Sequence, residues 1–393
     1  MTTILMSASE PSGDALGAAI MRAIRLQRPD ATFIGGGGPA MRAEGLDQPV
    51  PTDSLAVMGP VDALAALPRA RRLSHQLAEL AATRAPQAAI LIDSWTFSRM
   101  AADAIRRANR DCRLVKLAAP QVWASRPGRA KGAAALFDLI LCLLPFEPPY
   151  FEREGGRALF IGNPNFQDTN CRARSGAAFR SRHDVDERPL LLLLPGSRMG
   201  EVERLMPVYG EALACAAERV RGLKGVIVAA PAVEARVRAL AATWASDPLV
   251  LGNEEKFDAF DAADVALAAS GTVTTELAIT GTPMVVAYRV GAITAFWARR
   301  VLTTPYVTVL NVAAGEEIIP ERLQGDCMPA QLCADVVRLF DDEEERRKQL
   351  SAFRRLLPRL LGRDDPARVA AAAVLALVDG EERRDLDGRA AGQ

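Results

Sequence analysis

The strongest constraint on this chain is a rhythm that runs twice. Short β-branched or leucine runs at Ile4–Met6, Thr32–Gly35, Ala88–Asp93, Arg113–Ala118, Leu139–Leu143 and Ala158–Ile161 alternate with alanine- and arginine-rich helical stretches. The rhythm breaks at the polar stretch "NPNFQDTNCRARSG" (163–176). It restarts at Leu190–Leu194, Gly225–Ala229, Leu249–Leu251, Val265–Ala268 and Pro283–Tyr288. Short apolar runs separated by helices are what parallel strands covered on both faces require. The expected class is α/β, with two Rossmann-like, doubly wound domains facing a cleft and ligands at the carboxyl ends of the strands. The expected boundaries are 1–165 for the first domain, 166–188 for a linker and 189–340 for the second domain. Helices over 341–380 are expected to pack back on the first domain, and the charged tail 381–393 to be disordered.

Composition narrows the function classes. The 393 residues suffice for two domains of ~150–200 residues each. Lys plus Arg equals Asp plus Glu at 48 each, so no net field draws nucleic acid. Six cysteines without CxxC spacing and two histidines argue against a zinc site and a disulfide framework, and fit a reducing cytosol. The N-terminus lacks the pattern of a signal peptide, and no apolar run reaches the ~18–20 residues of a spanning helix. The expectation is a soluble protein, or one lying on a membrane without crossing it.

Two loops point to a nucleotide diphosphate. "LLLLLPGSRMGEV" (190–202) is a buried strand running through Gly196, Ser197 and Arg198 into a helix. Glycine permits close backbone approach, a helix start favours an anion, and the arginine fork suits a diphosphate. Alone, this loop reads equally well as an ordinary turn with a surface arginine. A second loop, "LAASGTVTTELAITGTPMVVAYR" (267–289), opens another helix at Ser270, Gly271 and Thr272. Glu276 follows one turn later, where its carboxylate could accept ribose hydroxyls. The first strand meets "SASEPSGDALGA" (7–18), which has neither a Walker lysine nor GxGxxG spacing. There Glu10 sits at the strand tip, Ser12-Gly13 make a small helix start, and Asp14 suits the helix dipole. "FIGGGGPAMRAEG" (33–45) reads as a tight glycine turn and only weakly as a phosphate loop.

Five motifs, "SASEPSGDALGA", "APQVWASRPGRA", "LLPFEPPYFEREG", "LLPGSRMGEV" and "ASGTVTTELAITGTPMVVAYR", follow in order between about residues 3 and 340. The series resembles the lipid-A-disaccharide synthase family. That resemblance implies a GT-B fold and an inverting glycosyltransferase of Gram-negative lipid A and lipopolysaccharide biosynthesis. The donor would be UDP-2,3-diacylglucosamine and the acceptor 2,3-diacylglucosamine 1-phosphate (lipid X), giving a β-1,6 disaccharide and UDP. By the same resemblance the first domain takes the lipid acceptor. The second binds UDP through Gly196, Ser197, Arg198, Ser270, Gly271, Thr272 and Glu276, with Asn311 and Glu317 of "LNVAAGEE" nearby. Glu316 stands where the family usually has arginine.

Glycosyl transfer needs a base at the acceptor oxygen and positive charge for the departing diphosphate. Asp93, ending "AAILID", is the first candidate for the base, with Glu10 and Asp62 behind it and Arg198 as the leaving-group cation. Two positions depart from the family: Thr96 in "DSWTFS" replaces its usual aspartate, and Asn163 replaces a common histidine. No metal or other cofactor is expected, since Arg198 and helix amides can serve the diphosphate and the lone "DVD" (184–186) lies in the polar stretch. Lipid substrates imply peripheral contact with the cytoplasmic face of the inner membrane. Residues 55–73 (Met58, Val61, Leu64, Leu67; Arg69, Arg71, Arg72) and 293–302 (Phe296, Trp297, Arg299, Arg300) suit it, although such stripes also build cores. Homodimerisation is left open. The competing readings are another UDP-sugar GT-B enzyme, an epimerase or a transferase with a different lipid acceptor, and a catalytically silent UDP-sugar or lipid-binding relative.

Overall fold

The computed structural model of the chain describes residues 2–47, 50–55, 66–291, 300 and 302–380. The chain divides into two compact units, Met1–Pro164 with Gly362–Gln393, and Asn165–Leu361.

The first unit holds six parallel strands, β1 Thr3–Ser7, β2 Thr32–Gly36, β3 Ala88–Ile92, β4 Arg113–Leu117, β5 Leu139–Cys142 and β6 Ala158–Phe160. Their order is β2-β1-β3-β4-β5-β6. The chain therefore leaves β1 toward one edge and returns to its other side at β3, which makes the β1/β3 gap the switch point of the sheet. Alternate side chains feed two cores. Ile4, Met6, Ile90 and Ile92 pack with the helix Pro11–Gln27 and the helix Pro366–Val378. Leu5, Ala89 and Leu91 pack with the helices Leu67–Arg84 and Trp95–Ala108.

The second unit repeats the plan with β7 Leu190–Leu194, β8 Lys224–Val228, β9 Leu249–Leu251, β10 Val265–Ala269, β11 Met284–Tyr288 and β12 Glu321–Leu323. The order β12-β11-β10-β7-β8-β9 puts its switch point between β7 and β10. All five leucines of β7 are buried, so truncating Leu191 to alanine would cost ~2–5 kcal/mol. Every run read as a strand is one. β12 has no counterpart among them, because "ERL" carries two charges and no apolar run.

Several expectations need correction. The stretch expected as a linker at 166–188 holds the helices Pro164–Cys171 and Gly176–Arg182. Ser175 caps the second of these, and its polar groups bond to the second unit: Asp258 and Asp261 accept from the amides of Ser175 and Gly176. Of the helices expected to return to the first domain, only Pro366–Val378 does so, packing beside Pro11–Gln27 with Arg28 paired to Asp379. The helix Glu343–Leu361 stays with the second unit, where Gln349 satisfies the amide (2.6 Å) and the carbonyl (3.1 Å) of Met284. Cys215 and Cys333, separated by 118 residues, form a disulfide. Packing of the helices Met199–Arg219 and Pro329–Asp341 brings their Cα atoms to 6.0 Å, a proximity that sequence spacing does not reveal. The tail 381–393 lies outside the described residues. Among those described, no helix is long and apolar enough to cross a membrane.

Candidate active site

At the first switch point, β1 delivers Ser9 and Glu10, and β3 delivers Asp93. Asp93 takes a left-handed corner (φ 50°) immediately after β3. The Ser9 hydroxyl donates to Asp93 Oδ1 at 3.2 Å, and the Ser9 amide donates to the same oxygen at 3.5 Å. Oδ2 is buried and has no hydrogen-bond partner among the described residues. It faces Gly13, where an added Cβ would lie 1.7 Å away, so only glycine lets the helix start come this close. Burial pushes the Asp93 carboxyl above its usual range and Glu10 adds to the rise, while Lys116 and the Ser9 bonds oppose it. Glu10 is exposed and makes no side-chain capping bond. Thr96 is exposed in the first turn of the helix Trp95–Ala108.

Asp14 does more than complement a helix dipole. It is buried and accepts from the amides of Gly38 (2.8 Å), Ala40 (2.8 Å) and Met41 (3.0 Å). The glycine turn at 35–38 thus receives an internal carboxylate in place of a phosphate.

At the second switch point, β7 and β10 run level, with Leu194 opposite Ala268. Gly196 follows β7 at φ 102°, and a Cβ there would meet Glu201 Oε2 at 2.5 Å. That oxygen accepts from the amides of Ser197 (3.2 Å) and Arg198 (3.3 Å). Here too a carboxylate of the protein accepts from amides expected to meet phosphate, which leaves the Ser197 hydroxyl and the open backbone at Gly196 as this loop's features for a ligand. The Arg198 side chain is 70% exposed and touches Glu201 Oε1 at 3.0 Å, a pair that holds it loosely. After β10, Ser270 donates through its hydroxyl to Val307 O at 3.3 Å, and Gly271 and Thr272, both exposed, open the helix Thr272–Thr280. Among the described residues no carboxylate accepts from the Ser270, Gly271 or Thr272 amides. A helix start of this kind can take an anion.

Glu276 lies on the same helix and pairs with Lys256. Asn311 is fully buried, and its amide is fully used: Oδ1 accepts from Ile318 and Ile319, and Nδ2 donates to Ile319 O and Glu321. In this structure the Asn311 side chain holds its own loop. Glu317 is exposed, accepts from the Glu321 amide at 3.1 Å and lies 3.9 Å from Arg322. Glu316, the departure from the family pattern, pairs with Arg355 at 3.1 Å.

A family model for lipid-A-disaccharide synthetase matches residues 4–365. The chain belongs to the lipid-A-disaccharide synthase family. It is 39% identical to the lipid-A-disaccharide synthase of Paramagnetospirillum magneticum, over 97% of this chain and 99% of the relative. With the enzyme of that name from Rhodospirillum centenum it shares 37% identity, over 99% and 98%. Solved structures show the same GT-B fold at low identity. A Staphylococcus aureus MnaA–UDP structure aligns at TM-score 0.63 and 12% identity over 96% of this chain and 97% of that one. A glycosyltransferase from Rickettsia africae aligns at 0.58 and 13%, over 97% and 99%. This lipid-A-disaccharide synthase family member is therefore a glycosyltransferase enzyme of lipid A biosynthesis.

Two buried ionisable residues of this family member carried no sequence expectation. Glu147 is buried, accepts from the Trp123 indole (3.2 Å) and from the amides of Leu143 and Leu144 (3.1 Å each), and burial raises its carboxyl to about 7. It joins two of the quoted motifs, and a buried tryptophan N–H in need of an acceptor was the available signal. Lys116 shows itself only as the inner of the two charges in "RLVKL". Asp62, Met58, Val61, Leu64, Phe296, Trp297 and Arg299 lie outside the described residues. Of the described end of 55–73, Arg69, Arg71 and Arg72 are exposed and Leu73 belongs to the core.

Proposed function

We propose that the chain transfers 2,3-diacylglucosamine from UDP-2,3-diacylglucosamine to lipid X with inversion, giving the β-1,6 lipid A disaccharide 1-phosphate and UDP. The observation that carries this reading is the chemistry at the two switch points: a half-buried aspartate with an unpartnered Oδ2 in one unit, and in the other a helix start after β10 whose first amides meet no carboxylate among the described residues, with an exposed arginine after the neighbouring β7. Family membership supplies the substrates.

Asp93 takes the proton from the acceptor hydroxyl as its oxygen bonds to the donor's anomeric carbon. Burial, which raises its affinity for a proton, makes it the better base near neutral pH. Glu10, next to Ser9 just past the end of β1, meets the hydroxyls of the acceptor sugar. The anomeric carbon's bond to the UDP oxygen breaks, and the amides opening Thr272–Thr280, with Arg198, take up the charge on the diphosphate. Glu276 holds the ribose. Transfer proceeds without a metal ion, because Arg198 and the helix start supply the positive charge. The protein works at the cytoplasmic face of the inner membrane, where both lipids reside, bound peripherally through 55–73 and 293–302. Incubating purified protein with both lipid substrates and detecting the disaccharide by mass spectrometry tests the proposal. Absence of product would favour the silent relative that Thr96 suggests.

A further inference from the structure

Lys116 is the penultimate residue of β4, fully buried. Its Nζ donates to three main-chain carbonyls: Leu91 at 3.2 Å, Asp93 at 2.6 Å and Leu117 at 2.7 Å. Two of these carbonyls belong to the corners where β3 and β4 end. Asp93 itself is left-handed at φ 50°, and Ala118, which follows Leu117, is left-handed at φ 58°. Non-glycine residues hold such backbone only when their surroundings impose it. The same contacts interlock: Leu117 O also accepts from the Asp93 amide at 3.3 Å, and Asp93 O also accepts from the Ser98 hydroxyl at 3.0 Å.

We propose that Lys116 is the positioning residue for Asp93: its ammonium ties the corners after β3 and β4 together and so fixes the carboxylate against Ser9 and Gly13. The inference rests on the reading of Asp93 as the base. An ammonium offers three N–H donors, which matches three carbonyls; the neutral amine has only two and leaves one carbonyl unsatisfied. Burial pushes the Lys116 pKa down to about 7, against the charges of Asp93 and Glu10, the groups that face it from β3 and from the start of the helix Pro11–Gln27. Raising the pH through that value therefore loosens the corner that carries Asp93.

Stability moves the other way. The Lys116 pKa is lower in the fold than in the unfolded chain, so between about 7 and its ordinary value of 10.5 the unfolded chain holds the extra proton. The contribution of this group to stability thus rises with pH across that window, while the proposed positioning is lost. A lysine with a merely structural role would not separate the two.

The experiment measures kcat, KM, thermal midpoint and UDP affinity across neutral and alkaline pH for the full chain, for Lys116→Met and for Asp93→Asn. The wild-type kcat is expected to fall about tenfold per pH unit above an apparent pKa at or above about 7, with no parallel fall in thermal midpoint. Lys116→Met is expected to lose on the order of 100-fold in kcat, as for a misplaced catalytic group, with KM and UDP affinity within about twofold and the alkaline limb gone. A Lys116→Met enzyme with wild-type kcat, or one that keeps the limb, overturns the inference. If that variant does not fold, the wild-type profile decides: a flat kcat, or kcat and stability falling together, overturns it. Wild-type turnover in Asp93→Asn instead defeats the base assignment itself. An inactive Asp93→Asn beside an active Lys116→Met defeats only the role of Lys116.

Discussion

Lys256 Nζ lies 2.6 Å from Glu276 Oε2, with the two side chains only 18% and 12% exposed. The ammonium also sits over the rings of Phe257 (5.1 Å) and Phe260 (5.5 Å), which fix its position. The pair holds one carboxylate oxygen in place, and on the proposed reading the other takes a ribose hydroxyl. Glu276→Ala and Lys256→Met should each weaken UDP binding, and a double-mutant cycle read by calorimetry should show coupling of ~0.5–3 kcal/mol. Strictly additive losses would remove Lys256 from the nucleotide site.

Arg198 and Glu201 should separate catalysis from stability. Arg198→Ala removes an exposed cation and should cut turnover on the order of 100-fold while leaving the unfolding midpoint in place. Glu201→Ala orphans the Ser197 and Arg198 amides and should destabilise the second unit by ~1–3 kcal/mol. Unchanged kinetics in the Arg198 variant would sink the diphosphate assignment.

Thr96 sits where an aspartate would be welcome, exposed in the first turn of a helix. Thr96→Asp should fold normally and turn over at least as fast as wild type. If the wild type forms no disaccharide and this variant does, the chain is a silent relative whose chemistry one substitution restores.

The Cys215–Cys333 bond closes a long loop within the second unit. Reduction, or Cys333→Ser, should lower its denaturant stability by ~2–4 kcal/mol. An identical midpoint with and without reductant would mean that the link adds nothing in solution.

Transfer should persist in excess EDTA. Activity abolished by the chelator and restored by magnesium or manganese would assign the diphosphate charge to an ion instead of Arg198 and the Thr272–Thr280 helix start.

The sequence by itself determined the two sheets, because strand and helix periodicity is a local property written residue by residue along the chain. It also placed Asp93, Arg198 and Ser270–Thr272 at strand ends, since each follows directly from an apolar run. It could not tell which anion a loop receives. The amides of Gly38, Ala40 and Met41, of Leu143 and Leu144, of Ser197 and Arg198, and of Val307 and Thr308 are taken by Asp14, Glu147, Glu201 and Glu321 respectively. A glycine-rich helix start looks the same on paper whether its partner is a phosphate or an internal carboxylate. Nor did spacing join Cys215 to Cys333, Ser9 to Asp93, or Lys116 to the corners of β3 and β4. Only the tertiary structure decided these matches, because a buried donor or charge must find its partner among groups the fold brings near, whatever their distance along the chain.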